Sequence, residues 1–306
     1  MDKKYAIATV IMLVLLAGCG QKEAQTIGKP FIGGTGAVVT SFTEGTPPPE
    51  IYDGGNQPFD VVIKLENKGE YDIPKENLKV TLSGINPAQF SNPAIEKNMD
   101  EDLKGAYLDP TGNAVAGGQT YITFSGFNYM DKLSGNTPFT IRADVCYAYG
   151  TTAQFMLCVK KDLSSTSQGV CNVNEAKQSE CSSAPVQIGN VKEEVAGTNK
   201  ISFYFDVTYQ GTGAISKEGS NCDDKVASKD KIFVEVETGL SGLKCSGLEG
   251  GDSSGYIALY GGTRNIRCTQ DITGTTTDFN KPVTIKARYD HKEFIDKNII
   301  IKHGTG

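Results

Sequence analysis

Residues 251–255 read Gly-Asp-Ser-Ser-Gly, which satisfies G-x-S-x-G with Ser253 in the nucleophile's place. A nucleophile elbow works because a strand feeds a tight turn into a helix, exposing the serine beside a backbone oxyanion hole. Here Glu249-Gly250 precedes the pattern and a strand-like run, Gly255 to Tyr260, follows it, so no helix is on offer. The chain's two histidines, His291 and His303, both lie downstream of Ser253, which rules out a trypsin-like order. The pattern reads as a surface turn. No catalytic residue is nominated, and the chain is expected not to be an enzyme.

Oxygen ligands are the second chemistry to weigh. The stretch from Met99 to Asn113 gathers Asp100, Glu101, Asp102 and Asp109. As an EF-hand it has acids at positions one and three and Gly105 at six. Position five is Lys104, however, and position twelve is Thr111 where a bidentate glutamate belongs. A looser Ca²⁺ cage of Asp100, Asp102 and Asp109 stays open beside the default, a solvated acidic loop. No other cofactor is expected. Phe124, Phe127, Tyr129, Tyr147 and Tyr149 could build a stacking platform, but their alternation along strands fits cross-strand core packing.

The third chemistry is that of thiols. Residues 13–22 read LVLLAGCGQK, and from Tyr5 to Ala17 the chain is apolar apart from Thr9, after a start that carries Lys3 and Lys4. That is the layout of a signal peptide, and it is shorter than the roughly 20 apolar residues that a spanning helix needs. Leu16-Ala17-Gly18-Cys19 resembles the lipobox of prokaryotic lipoproteins. The resemblance implies cleavage after Gly18 and acylation of Cys19. One acyl chain holds a membrane weakly, at roughly 0.8 kcal/mol per buried CH₂, so stable anchoring implies two or three chains on that cysteine. Residues 1–18 are therefore read as signal peptide and 19–35, polar and glycine-rich, as a lipid-anchored flexible tether.

Eight cysteines occur, and seven remain after Cys19, at 146, 158, 171, 181, 222, 245 and 268. An extracytoplasmic chain can keep them as disulfides. No C-x-x-C spacing occurs, which weakens zinc and thioredoxin-like readings. If Tyr149-Gly150 is a hairpin turn, Cys158 lies about 13 Å further along than the residue facing Cys146, too far for a bond. The favoured pairs are Cys158 with Cys171 and Cys245 with Cys268. Cys146, Cys181 and Cys222 stay unassigned, and an odd count leaves one thiol free or bonded to another chain.

These residues must be carried by strands and turns. The 306 residues include 35 glycines and no tryptophan, with net charge −6, and no long amphipathic helical pattern appears. An acidic balance without a basic stripe argues against nucleic acid. Phe59, Val61, Ile63 and Leu65 share one face before a turn at Asn67-Lys68-Gly69. Ile201, Phe203, Phe205, Val207 and Tyr209 do the same before Gln210-Gly211. PFTIRA at 138–143 returns as PVTIKA at 282–287, each expected to be followed by a second strand, 153–160 and 298–302.

The expected fold class is all-β: two tandem immunoglobulin-like antiparallel sandwiches after the signal peptide, at 36–163 and 185–303, joined by a cysteine-bearing linker at 164–184. The halves resemble CARDB-like and other immunoglobulin-like modules of prokaryotic surface proteins. The cysteine-rich order through VCNVNE to RCTQD is similar to uncharacterised archaeal surface proteins. The resemblance implies architecture and no activity. The functional expectation is a non-catalytic, membrane-anchored cell-surface spacer or adhesion module whose partner is a surface protein or envelope polymer. The alternative is a transport lipoprotein that captures a small molecule or metal in a pocket between the halves.

Overall fold

Burial with a period of two sets the strands. From Phe59 to Asn67 every second residue is buried, and the same holds over the run that follows Ile141. The structure, a computed structural model, describes residues 29–304 apart from Thr166 and Gln168. In chain order come β1 (Val38–Phe42), β2 (Glu50–Tyr52), β3 (Phe59–Asn67), β4 (Leu78–Ser83), β5 (Glu96–Asn98), β6 (Tyr107–Leu108), β7 (Ala114–Val115), β8 (Gln119–Phe127) and the long β9 (Thr137–Val159). The second half adds β10 (Glu175–Ala176), β11 (Ser179–Cys181), β12 (Val186–Gly197), β13 (Lys200–Tyr209), β14 (Ala214–Ser216), β15 (Lys231–Glu237), β16 (Leu243–Ser246), β17 (Ser254–Ala258), β18 (Thr263–Asp271) and the long β19 (Phe279–Lys302). Two 3₁₀ turns, Lys75–Asn77 and Pro87–Phe90, are the helical elements among the described residues.

The chain is all-β, and its strand pairs are antiparallel apart from β2 beside β19. One sheet, β1-β3-β8, lies in the first half, and another, β10-β12-β13-β18-β16, in the second. The largest sheet has nine strands and belongs to both halves, along the path β17-β15-β19-β9-β4-β5. The buried side chains of both halves form one continuous core.

The hairpin expected at Tyr149-Gly150 is absent. β9 runs straight through it for 23 residues, with Tyr149 and Gly150 paired to Tyr289 and Arg288 of β19. Gly150 serves packing instead of a turn: a Cβ there would lie 2.4 Å from the Tyr71 ring. The residues expected to fold back, 153–160, continue into the second half, where Ala153 to Phe155 pair with β11 and Phe155 packs on Phe203 at 5.4 Å between ring centroids. In return, the end of β19 crosses into the first half, where Ile300 to Lys302 lie beside β2.

This exchange obeys the sequence repeat. Pro138 faces Ile300 and Pro282 faces Met156, and within each of the couples Pro138/Pro282 and Met156/Ile300 the spacing is the same. The pairing is therefore two-fold symmetric about the facing residues Tyr147 and His291. The expected linker is also partly built into sheets, since β11 pairs with β9 and β10 with β12.

Candidate functional site

The seam where β9 crosses β19 collects the polar chemistry of the core. Tyr147, Tyr149, Tyr289 and His291 stand on the inward face of the two long strands and are all buried. Their rings form a ladder: Tyr147 lies 5.2 Å from His291 and 5.6 Å from Tyr149, and Tyr149 lies 5.3 Å from Tyr71. Buried hydroxyls need partners. Tyr149 donates to Asn67 Oδ1 at 3.1 Å, Tyr289 accepts from the Val186 N–H, and Tyr209 accepts from Gly213 N–H and shares a 3.1 Å hydrogen bond with His291 Nε2. Burial raises the Tyr149 and Tyr289 phenols far above their ordinary value and the Tyr209 phenol to about 12.

Glu70 ties two segments to this seam. Its carboxylate accepts from the N–H groups of Ile32, Gly33 and Ser183 at 2.9, 3.0 and 2.7 Å. Gly36 donates to Ser183 Oγ, and Gly34 O accepts from Ala184 and from the Gln187 side chain. The end of the expected tether, 32–35, is thus docked on the seam. The earlier part of the tether, through Gly28, lies outside the described residues, as do Leu16, Ala17, Gly18 and Cys19.

A groove of about 320 Å³ opens along the seam, lined by Glu76, Asn77, Lys79, Asn98, Glu218 and Asp290 among others. Three of its charged groups, Asp290, Glu218 and Lys79, are engaged with the protein itself. Asp290, buried, accepts from Gly219 N–H, Ser220 Oγ and Cys222 N–H and so folds the loop from Lys217 to Asp223. Glu218 pairs with Arg288, and Lys79 with Glu96. A capturing pocket needs convergent polar groups left for a ligand, and these three are already spent on the fold.

The three described disulfides join Cys158 to Cys171, Cys245 to Cys268, and Cys146 to Cys222. Cys181 is the free cysteine among the described residues; burial pushes its thiol up to about 11. The structure does not bring Asp100, Asp102 and Asp109 together. Asp109 is consumed by its own hairpin, accepting from Thr111 and Asn113, Asp102 accepts from the Lys75 N–H, and Asp100 is exposed. No group of three or more His, Cys, Asp or Glu among the described residues could hold a metal. Ser253 is exposed on the turn into β17 and lines a groove of about 610 Å³ with Lys281.

Glu193 is a polar core residue that the sequence does not announce. It is fully buried, accepts from Cys158 N–H at 3.0 Å and meets Lys177 Nζ at 3.2 Å. Burial outweighs these contacts and raises its carboxyl from 4.5 to about 7, while burial lowers His291 from 6.5 to about 4. The two act on stability with opposite signs. Folded Glu193 keeps a proton that the unfolded chain gives up, so its contribution is full below pH 4.5 and is lost as pH rises through about 7. His291 contributes above pH 6.5 and loses that contribution as pH falls toward 4. Each is worth about 3 kcal/mol. Relative to the wild type, Glu193→Gln is expected to become less stable as pH falls, and His291→Asn less stable as pH rises. Urea midpoints from pH 4 to 8 check this, and parallel profiles would contradict it.

No family model matches this chain, and no curated protein matches it. Among solved structures it is similar to the secreted serine protease VesC from Vibrio cholerae, at 11% identity and a TM-score of 0.20, over 85% of this chain and 51% of that chain. The chain thus spans about half the length of this neighbour. The expectation that the chain is not an enzyme is withdrawn against that neighbour's name. A likeness at this TM-score transfers no reaction and no catalytic residue to the present chain.

Proposed function

We propose that this protein is a membrane-anchored extracytoplasmic spacer and adhesion module, in which two immunoglobulin-like sandwiches are fused into one stiff body held out from the membrane by residues that follow an acylated Cys19. The carrying observation is the shared nine-stranded sheet: a sheet continuous through both halves resists bending where a linker would flex. Three disulfides support an oxidising compartment. The partner is a surface protein or envelope polymer, reached through loops or open strand edges.

Cys19→Ser is expected to release the protein from membranes or leave the precursor uncut. A cut product that still fractionates with membranes would contradict the anchor. The module reading is tested by cross-linking intact cells that carry the native protein and identifying the joined species by mass spectrometry. A reproducible protein or polymer partner is the expected result, and isolated monomers would overturn it.

A further inference from the structure

The internal repeat exposes a strand position that is filled in one half and open in the other. β3 and β8 pair with Val61 opposite Phe124, and β13 and β18 with Phe203 opposite Cys268. The two couples occupy equivalent places, so β8 corresponds to β18. In the second half the free edge of β18 is covered by β16, with Leu243 to Ser246 facing Gln270 to Arg267 and Cys245 bonded to Cys268. In the first half the segment between β4 and β5 makes the Pro87–Phe90 turn, buries Phe90 and returns without adding a strand. Phe124 stands where Cys268 would be, and β8 ends the three-stranded sheet.

Beside that edge runs a groove of about 540 Å³, between β8 and β5, lined by Lys97, Met99, Asp100, Tyr121, Thr123 and Ser125 among others. Lys97 Nζ donates to Thr123 O at 2.6 Å, which fixes the outward direction of the Thr123 backbone. A residue's N–H and C=O share a side in an antiparallel strand, so Thr123 presents both to the groove. Lysine on an edge is a common guard against indiscriminate pairing. Here it is a cap that an incoming N–H can replace.

We propose that the open edge of β8, over Tyr121 to Ser125, receives an extended segment of a partner polypeptide, which adds as an antiparallel strand. This deepens the adhesion-module reading and rests on it. The occupant's chemistry is drawn from β16, whose Leu243 and Cys245 are half-buried while Lys244 and Ser246 are exposed. The partner segment therefore carries apolar residues at alternate positions, aimed between the sheets, with polar residues between them. Backbone hydrogen bonds supply affinity, and the alternate side chains supply selectivity.

The probe is a synthetic peptide of residues 241–248 with Cys245→Ser, added to the full chain while hydrogen exchange is followed. The expected result is new amide protection at Tyr121 and Thr123. Thr123→Pro removes an outward N–H and no β3 hydrogen bond, so it should abolish that protection. Lys97→Ala, which leaves the backbone untouched, should tighten binding several-fold. No protection on β8 at millimolar peptide, or a Lys97→Ala affinity equal to wild type, overturns the proposal. Dimerisation of the free chain that Thr123→Pro abolishes would assign the edge to a second copy, and overturns it too. In cells, a partner cross-linked equally to wild type and Thr123→Pro would sink the edge while leaving the module reading standing, whereas no partner in either would sink that reading itself.

Discussion

Phe155→Ala, a change in the last strand of the first half, is expected to destabilise the second half, and Ile299→Ala, near the chain's C-terminus, is expected to destabilise the first. Phe155 is fully buried and packs on Phe203 of β13, while Ile299 is fully buried opposite Phe139 and next to the residues that pair with β2. Large-to-small changes at such sites cost about 3–5 kcal/mol for phenylalanine and 2–5 for isoleucine. The direction of the effect is the more telling quantity. Amide hydrogen exchange should show Phe155→Ala lowering protection first in β13 and β18, and Ile299→Ala first in β3 and β8. Loss confined to the half in which each residue lies in sequence would mean that the strands are not exchanged in solution.

The reason for this crossed pattern also explains what could be read from the sequence. The faces Phe59-Val61-Ile63-Leu65 and Ile201-Phe203-Phe205-Val207 are fully buried apart from the slight exposure of Phe59. Alternation at a period of two is a local signal, and it survives whatever the strand is paired with. The repeat was legible for the same reason. Where β9 goes after Tyr147 was not, because Gly150 has the same letter whether it bends the chain or makes room for the Tyr71 ring. A turn assumed there takes Cys158 out of reach of Cys146 but does not choose between Cys181 and Cys222, and only the fold shows the bond to Cys222 in the other half.

The polar residues were hidden in a different way. Glu70 and Asp290 look like ordinary surface acids, and only the fold reveals that one gathers three N–H groups and the other shapes a loop. His291 did carry a signal, since it continues the inward alternation of Ala287 and Tyr289. The acids at 100, 102 and 109 are near one another in sequence, and nearness brings carboxylates together only when the loop closes around a common point. Asp109 instead closes its own tight turn.

Removing the Cys146–Cys222 bond by replacing both residues with serine is expected to cost more than removing Cys158–Cys171 in the same way. Their sequence separations are 76 and 13 residues. In the chain-entropy model these loops are worth about 4.5 and about 3 kcal/mol. The native structure should change little at the first site, because Asp290 still accepts from Gly219 N–H and Cys222 N–H and keeps the loop on β19 without the covalent bond. The loss therefore falls mainly on the unfolded state, which gains freedom across both halves. Burial pushes the Cys181 thiol up to about 11 and keeps it from attacking while the chain is folded. Unfolding exposes it, so both double variants are compared in a Cys181→Ser background. Denaturant midpoints of the two double variants, taken with near-ultraviolet spectra of their native states, check the ranking. A larger loss at the 13-residue loop, or a changed native spectrum for Cys146→Ser with Cys222→Ser, would show that the bond acts by holding the folded seam together instead of by restricting the unfolded chain.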